Sequence, residues 1–257
     1  MLLAIDIGNT NTTIGVFKGP ELVLDFRLTT RIGQTMDEYG IFVRNLISLA
    51  DLDLSAISGM IVASVVPPLD NVIYTMSHKY LNMKPFFVKP GIRTGLSLNV
   101  ESPGEVGADR IVDCVGAISR YEPPLIVVDF GTATTFDAVS VNREFLGGAI
   151  APGLKISAES LFRKAAKLPE VPIRKPHQAV GRNTVTNIQS GLFFGYVGLV
   201  EGILTRMIAE MGAGVRVVAT GGLAGVIAPE TELIHEVDEN LTLEGLRILY
   251  EKNHDRP

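Results

Sequence analysis

The 257-residue sequence predicts an α/β fold of two duplicated halves, each a mixed β-sheet flanked by helices. Three observations predict it. The first half reads as three strands, a helix, a strand, a helix and a strand, an order that gives a mixed sheet with helices on its faces. A strand-and-turn motif built on Asp-x-Gly occurs twice, at Asp6-Ile7-Gly8 and at Asp129-Phe130-Gly131. Around it Leu2 and Leu125, Asp6 and Asp129, Gly8 and Gly131, and Thr12 and Thr135 recur at one fixed offset. Between the copies, Tyr121-Glu122-Pro123-Pro124 breaks the chain and sets the expected boundary, with halves 1–121 and 122–257.

Taken in order, the apolar run Leu2-Leu3-Ala4-Ile5 is a buried strand, residues 6–13 a tight polar turn, and Ile14-Gly15-Val16-Phe17 a second strand. Residues 21–28 alternate as a third, antiparallel strand. Tyr39, Phe42, Val43, Leu46 and Ile47 fall at helical spacing within a helix over 37–49. Residues 57–66 form a strand stopped by Pro67-Pro68. A helix over 69–80, a short strand over 85–88, a loop or edge strand over 91–103 and a helix over 104–120 complete the half. In the second half the strand 125–128 runs into its turn, and residues 144–150 are a third strand by analogy. A helix follows to about Ala166, and Pro169, Pro172 and Pro176 make the next stretch loop. The long helix over 186–211 carries Gly191, Gly195, Gly198 and Gly202 on one face. Such a face costs about 1 kcal/mol per glycine in helix propensity. The return is close approach of another backbone, within the fold or across a subunit interface. Strand 215–220 ends in Gly221-Gly222, and a helix over 241–250 closes the chain.

With 46% apolar residues the chain can bury a sizeable core. A net charge of −5 without a Lys/Arg block argues against nucleic acid or an anionic membrane as the main partner. The single cysteine, Cys114, allows no intrachain disulfide and points to a reducing compartment; its apolar setting suits a small buried hydrophobe. The first apolar run is too short and lacks the basic start of a signal peptide. The apolar stretch 192–204 is too short for a bilayer and contains Glu201. The expected location is cytoplasmic.

The Asp-x-Gly turns can bring backbone N–H groups and short donors to a phosphate while the Asp faces its cation, or they can be plain hairpin turns. Duplication favours phosphate. Strand 215–220 followed by two glycines lets a flat ring or phosphate approach the backbone, or is an ordinary strand-to-helix turn. Asp109, near a helix start, either steadies the helix N-terminus or takes a proton from an acceptor hydroxyl; the adjacent Arg110 suits a carboxylate. Asp137 reads as a strand-surface residue, with a second polar contact beside the phosphate turns as the alternative. Lys18 is expected in solvent. The four histidines show no ligand spacing.

Together the two Asp turns and Thr220-Gly221-Gly222 resemble the two phosphate motifs and the adenosine motif of the acetate and sugar kinase, heat-shock ATPase and actin superfamily. That resemblance implies two actin-like ATPase (ribonuclease H-like) domains with ATP in the cleft between them. The match is closer to the type III pantothenate kinases. Asp6-Ile7-Gly8-Asn9-Thr10, Gly107-Ala108-Asp109-Arg110 and Asp129-Phe130-Gly131-Thr132-Ala133-Thr134-Thr135-Phe136-Asp137 follow that family's three motifs in order. The resemblance implies ATP-dependent phosphorylation of the primary hydroxyl of pantothenate, the first step toward coenzyme A. It implies that Asp6, Ile7, Gly8, Asn9, Thr10, Asn11, Thr12 and Thr13 hold the ATP phosphates, with Asp6 near magnesium, and that Thr132 contacts ATP. Asp109 becomes the general base, and Gly107, Ala108, Asp109, Arg110 and Thr184 bind pantothenate. Asp129 binds a monovalent cation, potassium or ammonium. A homodimer is implied, which would occupy the glycine-faced helix. One position departs: Val100 stands where family members often carry Tyr. The alternatives are a regulatory accessory factor on the same fold and a superfamily kinase with another acceptor.

Overall fold

The computed structural model describes residues 1–254. In chain order the elements are β1 (Leu2–Ile7), β2 (Asn11–Lys18), β3 (Glu21–Thr29), α1 (Met36–Leu49), β4 (Gly59–Ser64), α2 (Pro67–Leu81), β5 (Phe86–Phe87), β6 (Ser97–Leu98) and α3 (Ala108–Arg120). There follow β7 (Leu125–Phe130), β8 (Ala133–Val139), β9 (Glu144–Pro152), α4 (Leu154–Lys164), α5 (Thr184–Met211), β10 (Arg216–Thr220), α6 (Ala224–Ile227), β11 (Glu236–Val237) and α7 (Leu241–His254). They form two compact units: residues 1–97, 101–120 and the segment from Asn240 onward in one, 98–100 and 121–239 in the other.

The first unit is a five-stranded sheet in the order β3-β2-β1-β4-β5. β1 lies antiparallel to β2 and parallel to β4. A central strand covered on both faces reads as a continuous apolar run, and Leu3, Ala4, Ile5 and Ile7 are fully buried. α1 begins at a capping box: Thr35 Oγ1 accepts the Glu38 N–H, and the Glu38 carboxylate accepts the Thr35 N–H. Such a cap is worth about 1 kcal/mol. Pro67 and Pro68 both stop β4 and open α2, because the first turn of a helix needs no N–H from them.

The last helix corrects the expected domain boundary. α7 packs in the first unit, not in the half 122–257. The reason is a backbone-to-backbone crossing. A Cβ built on Gly116 of α3 would overlap Leu241 O, and one built on Gly245 of α7 would overlap Val112 O and lie 2.9 Å from Val112 C. Only two glycines at the crossing let α3 and α7 meet this closely. Buried Asp113 accepts a 2.6 Å hydrogen bond from Thr242 Oγ1 across the same contact. Cys114 is buried within α3, as its setting suggested.

The second unit holds a six-stranded sheet in the order β11-β10-β7-β8-β9-β6. β7 is antiparallel to β8 and parallel to β10. β6 falls within the stretch read as a loop or edge strand, and it does sit at the sheet's edge. The short β11 is added parallel to β10 and was not anticipated; two residues are too few to carry a periodicity.

Ile126, Val128, Phe130 and Phe136 form this unit's core with Phe193, Tyr196, Val197, Val200 and Leu204 of α5. At 28 residues α5 is longer than the apolar stretch read as too short for a bilayer, and by length and composition alone it could cross one. Its buried side is nonetheless the lid of this core. Its glycines face outward: among the described residues, nothing lies within 4 Å of a Cβ built on Gly191, Gly195 or Gly198. Of the two explanations for the glycine face, close packing inside the fold is not seen at these three positions among the described residues.

Candidate active site

The first hairpin is tighter than the sequence suggested. Asp6 and Ile7 are still paired in β1, and Asn11, Thr12 and Thr13 already belong to β2, so the turn proper is Gly8-Asn9-Thr10. The Gly8 N–H donates to Asn11 O at 3.0 Å, closing the turn, and is therefore committed inside the protein. The Thr30 N–H donates to Thr10 O at 2.9 Å and ties the tip to the end of β3. The side chains of Ile7 and Thr12 are fully buried and cannot reach a ligand; among residues 6–13 the exposed side chains are Asn9, Thr10 and Asn11. Asp6 is half-buried and pairs across the hairpin with Thr13.

The second turn is built by close approach. Asp129, at the penultimate position of β7, has glycines on two sides. A Cβ on Gly221 would overlap Asp129 Oδ1, and one on Gly131 would lie 3.0 Å from Oδ2. Gly221 itself has φ +88°, a left-handed conformation that suits glycine. The expected adenosine motif therefore touches the aspartate of the second phosphate motif, because Thr220 pairs with Asp129 across β10 and β7. On the far side, the Gly153 N–H donates to Thr132 O at 3.2 Å. A Cβ there would overlap Thr132 O and lie 2.8 Å from Gly131 O. The start of α4 is thus seated directly under the turn.

Two residues that sequence reasoning missed, or placed differently, complete this unit's site, and a third has the same place in the first unit. Asp137 is buried, not on the strand surface, and accepts a 3.1 Å hydrogen bond from Thr135 Oγ1. Tyr196, on the buried side of α5, hydrogen bonds through its hydroxyl to Thr134 Oγ1. Burial pushes its phenol above the ordinary value, so it is protonated at neutral pH. In the first unit, Tyr39 on α1 is fully buried with its hydroxyl 3.4 Å from Thr12 Oγ1. A polar aromatic at a core position of an apolar helix is the signal that could have found both tyrosines, since a buried phenol needs a partner.

The Gly-Ala-Asp-Arg motif opens α3. Asp109 is half-buried, and its Oδ1 accepts the Arg110 N–H at 2.9 Å. A Cβ on Gly107 would stand 2.5 Å from the same oxygen, so the glycine leaves room for the carboxylate. The helix-steadying role open to Asp109 is therefore real; its other oxygen leaves a proton-accepting role compatible with it. Thr184 is the exposed first residue of α5, beside a cap in which Asn183 Oδ1 accepts the Thr186 N–H at 2.9 Å. Val100 belongs to the second unit and lies 3.7 Å from a Cβ built on Gly147. Lys18 is exposed. A cavity of about 540 Å³ in the second unit is lined by Glu159, Phe162, Arg163, Glu170, Val171 and Pro172, none of them from the three motifs.

Among the described residues no three His, Cys, Asp or Glu side chains gather as a metal centre. A magnesium ion carried by a nucleotide needs only one or two carboxylates besides phosphate oxygens and water, and Asp6 is a half-buried carboxylate near the end of β1, beside the first turn. At Asp129 the carboxylate itself fills the space left by the absent side chains of Gly131 and Gly221.

Comparisons with known proteins show the family and the fold. A family description, type III pantothenate kinase, matches residues 2–206. A type III pantothenate kinase of Anaeromyxobacter sp. (strain Fw109-5) is 55% identical over 253 residues, spanning 98% of this chain and 100% of the relative. Among solved structures, a Baf family protein from Campylobacter jejuni superposes with a TM-score of 0.64 at 20% identity, covering 99% of this chain and all of that one. The activator of 2-hydroxyisocaproyl-CoA dehydratase from Clostridium difficile, solved with bound ADPNP, gives a TM-score of 0.56 at 13% identity, covering 98% and 94%. These two likenesses establish the actin-like ATPase fold.

Proposed function

The chain belongs to the type III pantothenate kinase family, and from that premise we propose how its residues divide the transfer of a phosphoryl group from ATP to pantothenate. The enzyme is a kinase acting in coenzyme A biosynthesis, with ATP as co-substrate. The observation that carries this is 55% identity to a type III pantothenate kinase along essentially the whole of both chains.

Phosphoryl transfer depends on positioning and charge compensation more than on covalent chemistry. Residues 6–13 hold the ATP phosphates, with Asn9, Thr10 and Asn11 offering side chains and the buried Ile7 and Thr12 only their backbone. Asp6 stands near magnesium, which when bound neutralises phosphate charge. Thr132 contacts ATP, and Asp129, whose carboxylate is packed against Gly131 and Gly221, holds a monovalent cation, potassium or ammonium. Asp109 orients the pantothenate hydroxyl and accepts its proton; Gly107, Ala108, Arg110 and Thr184 bind the same substrate. Arg110 matches its carboxylate, for which a planar guanidinium is well shaped. The support for Asp109 is its half-buried carboxylate, held at the first turn of α3 by one backbone N–H. The protein works in the cytoplasm as a homodimer, without a nucleic-acid or membrane partner. The open glycine face of α5 supports the dimer, and the net charge of −5 supports the absence of a polyanionic partner.

A coupled assay of ADP release with pantothenate, magnesium and potassium tests the whole. Turnover should exceed the no-acceptor control. Asp109→Asn should lower turnover by at least about a hundredfold, the usual worth of a general base, with ATP affinity unchanged. Near-normal turnover in that variant would refute the base assignment.

A further inference from the structure

We infer that Tyr196, with Tyr39 as its counterpart, is a positioning residue that fixes a phosphate turn to its supporting helix through a buried threonine hydroxyl. The inference rests on the assignment of residues 6–13 and Thr132 to ATP.

The register of the two hairpins makes the tyrosines equivalent. In the first, Ile7 and Thr12 are the last pair before the turn; in the second, Phe130 and Thr134 are. The intervening residues are Gly8–Asn11 in one and Gly131–Ala133 in the other, so the second loop is a residue shorter. Thr12 therefore corresponds to Thr134, not to Thr135 as the fixed offset suggests. Both threonines are fully buried, and each meets a tyrosine hydroxyl. The tyrosines come from equivalent helices as well. α1 and α5 each follow the third strand of their unit's hairpin series and precede the strand parallel to its first, β4 in one unit and β10 in the other. The same inward threonine and the same helix-borne phenol thus occur under both turns.

At the second turn the geometry is complete. Tyr196 ties Thr134, two residues beyond Thr132, to α5. From the other side the Gly153 N–H, at the start of α4, holds Thr132 O. The turn is thereby held by α5 through a buried hydroxyl and by the start of α4 through a backbone N–H. Phe at position 196 keeps the ring in the core and removes only that link. The effect should fall on nucleotide and spare the acceptor: of its expected residues, Gly107 to Arg110 lie in α3 and the residue before it, and Thr184 stands at the first position of α5, twelve residues before Tyr196.

The test compares Tyr196→Phe, Thr134→Val, their double variant and Thr132→Val in the full-length enzyme. ATP affinity is measured by calorimetry without pantothenate, together with both KM values and the melting temperature. The single changes at 196 and 134 should each weaken ATP binding and raise the KM for ATP about five- to tenfold, the worth of one buried hydrogen bond. The KM for pantothenate should stay at the wild-type value. The double variant should be no worse than either single one, because both remove the same link. A Tyr196→Phe enzyme that melts lower but keeps wild-type ATP affinity would show a purely structural tyrosine and overturn the inference. If Thr132→Val weakens ATP binding in that same experiment, the ATP assignment of the turn survives; if it too leaves binding unchanged, both fall together.

Discussion

Gly221→Ala is the substitution whose cost can be worked most directly from the coordinates. Gly221 has φ +88°, where an L side chain is strained by about 1–2 kcal/mol. The added methyl would overlap Asp129 Oδ1 and stand 2.7 Å from Phe130 N and 2.8 Å from Phe130 C. The carboxylate could swing aside, but the Phe130 backbone is locked in β7 between β8 and β10. Relief requires the end of a central strand to move, and forced overpacking of this kind costs about 1–3 kcal/mol. The sum is about 2–5 kcal/mol, which lowers the melting of the second unit by roughly 10 °C.

Gly214→Ala is the control. Gly214 has φ +83° in the same unit, yet nothing lies within 4 Å of its Cβ position, so it carries the strain without the clash. Differential scanning calorimetry of both variants separates the two contributions. Gly221→Ala should melt several degrees below Gly214→Ala and should also lose most potassium-stimulated turnover, because Asp129 is displaced. Equal melting of the two variants would show that the strand end yields freely and that the contact with Asp129 is not a constraint.

Two further outcomes follow from the structure. Asp37 accepts hydrogen bonds from Lys79 Nζ and Tyr80 Oη, each at 2.7 Å, and these hold its carboxyl below the ordinary value. A depressed carboxylate stabilises the fold above its unfolded pKa and loses that contribution as pH falls through its folded one. The melting gap between wild type and Asp37→Asn should therefore be present at neutral pH and close below about pH 4; a gap of equal size at pH 3 and pH 7 would contradict the assignment. At the exposed glycine face, Gly195→Leu with Gly198→Leu should gain up to about 1 kcal/mol of helix propensity per site while dissociating the proposed homodimer. Sedimentation equilibrium reads the second effect, and an unweakened dimer would remove α5 from the interface.

Much of the fold was legible because its signals are local. The apolar run 2–5, the alternation over 21–28, the helical spacing of Tyr39 to Ile47 and the proline break at 123–124 each report one element by periodicity or by a missing donor. What escaped depends on contacts distant in sequence. Nothing near Gly245 announces that it will cross Gly116, so α7 was assigned by chain order to the wrong unit. Gly221, Gly131 and Gly153 were visible as glycines, but that two of them flank Asp129 and the third abuts the 131–132 carbonyls is a property of the assembled sheet. Motif reading singles out Asp6, Asp109 and Asp129 as candidates; it could not single out Tyr196, which belongs to no motif and meets its turn through a threonine from beneath.

The repeat also shows where alignment by offset stops being physical. Offsetting by a constant carries Asp6 to Asp129 and Gly8 to Gly131 correctly, because both lie before the turn. Past the turn, one missing residue shifts the register, and in a strand a shift of one exchanges the two faces of the sheet. Offset alone makes Thr135 the partner of inward Thr12 and would place its hydroxyl under α5. The observed pairing does the opposite: Thr135 stands across from Asp129 as Thr13 stands across from Asp6. There its hydroxyl donates to buried Asp137. Asp129, Thr135 and Asp137 consequently line one polar face, while Thr134 turns to Tyr196 on the other. With its shorter turn the second hairpin thus keeps the arrangement of the first: an aspartate presented on one side, and a phenol from a helix anchoring the reverse.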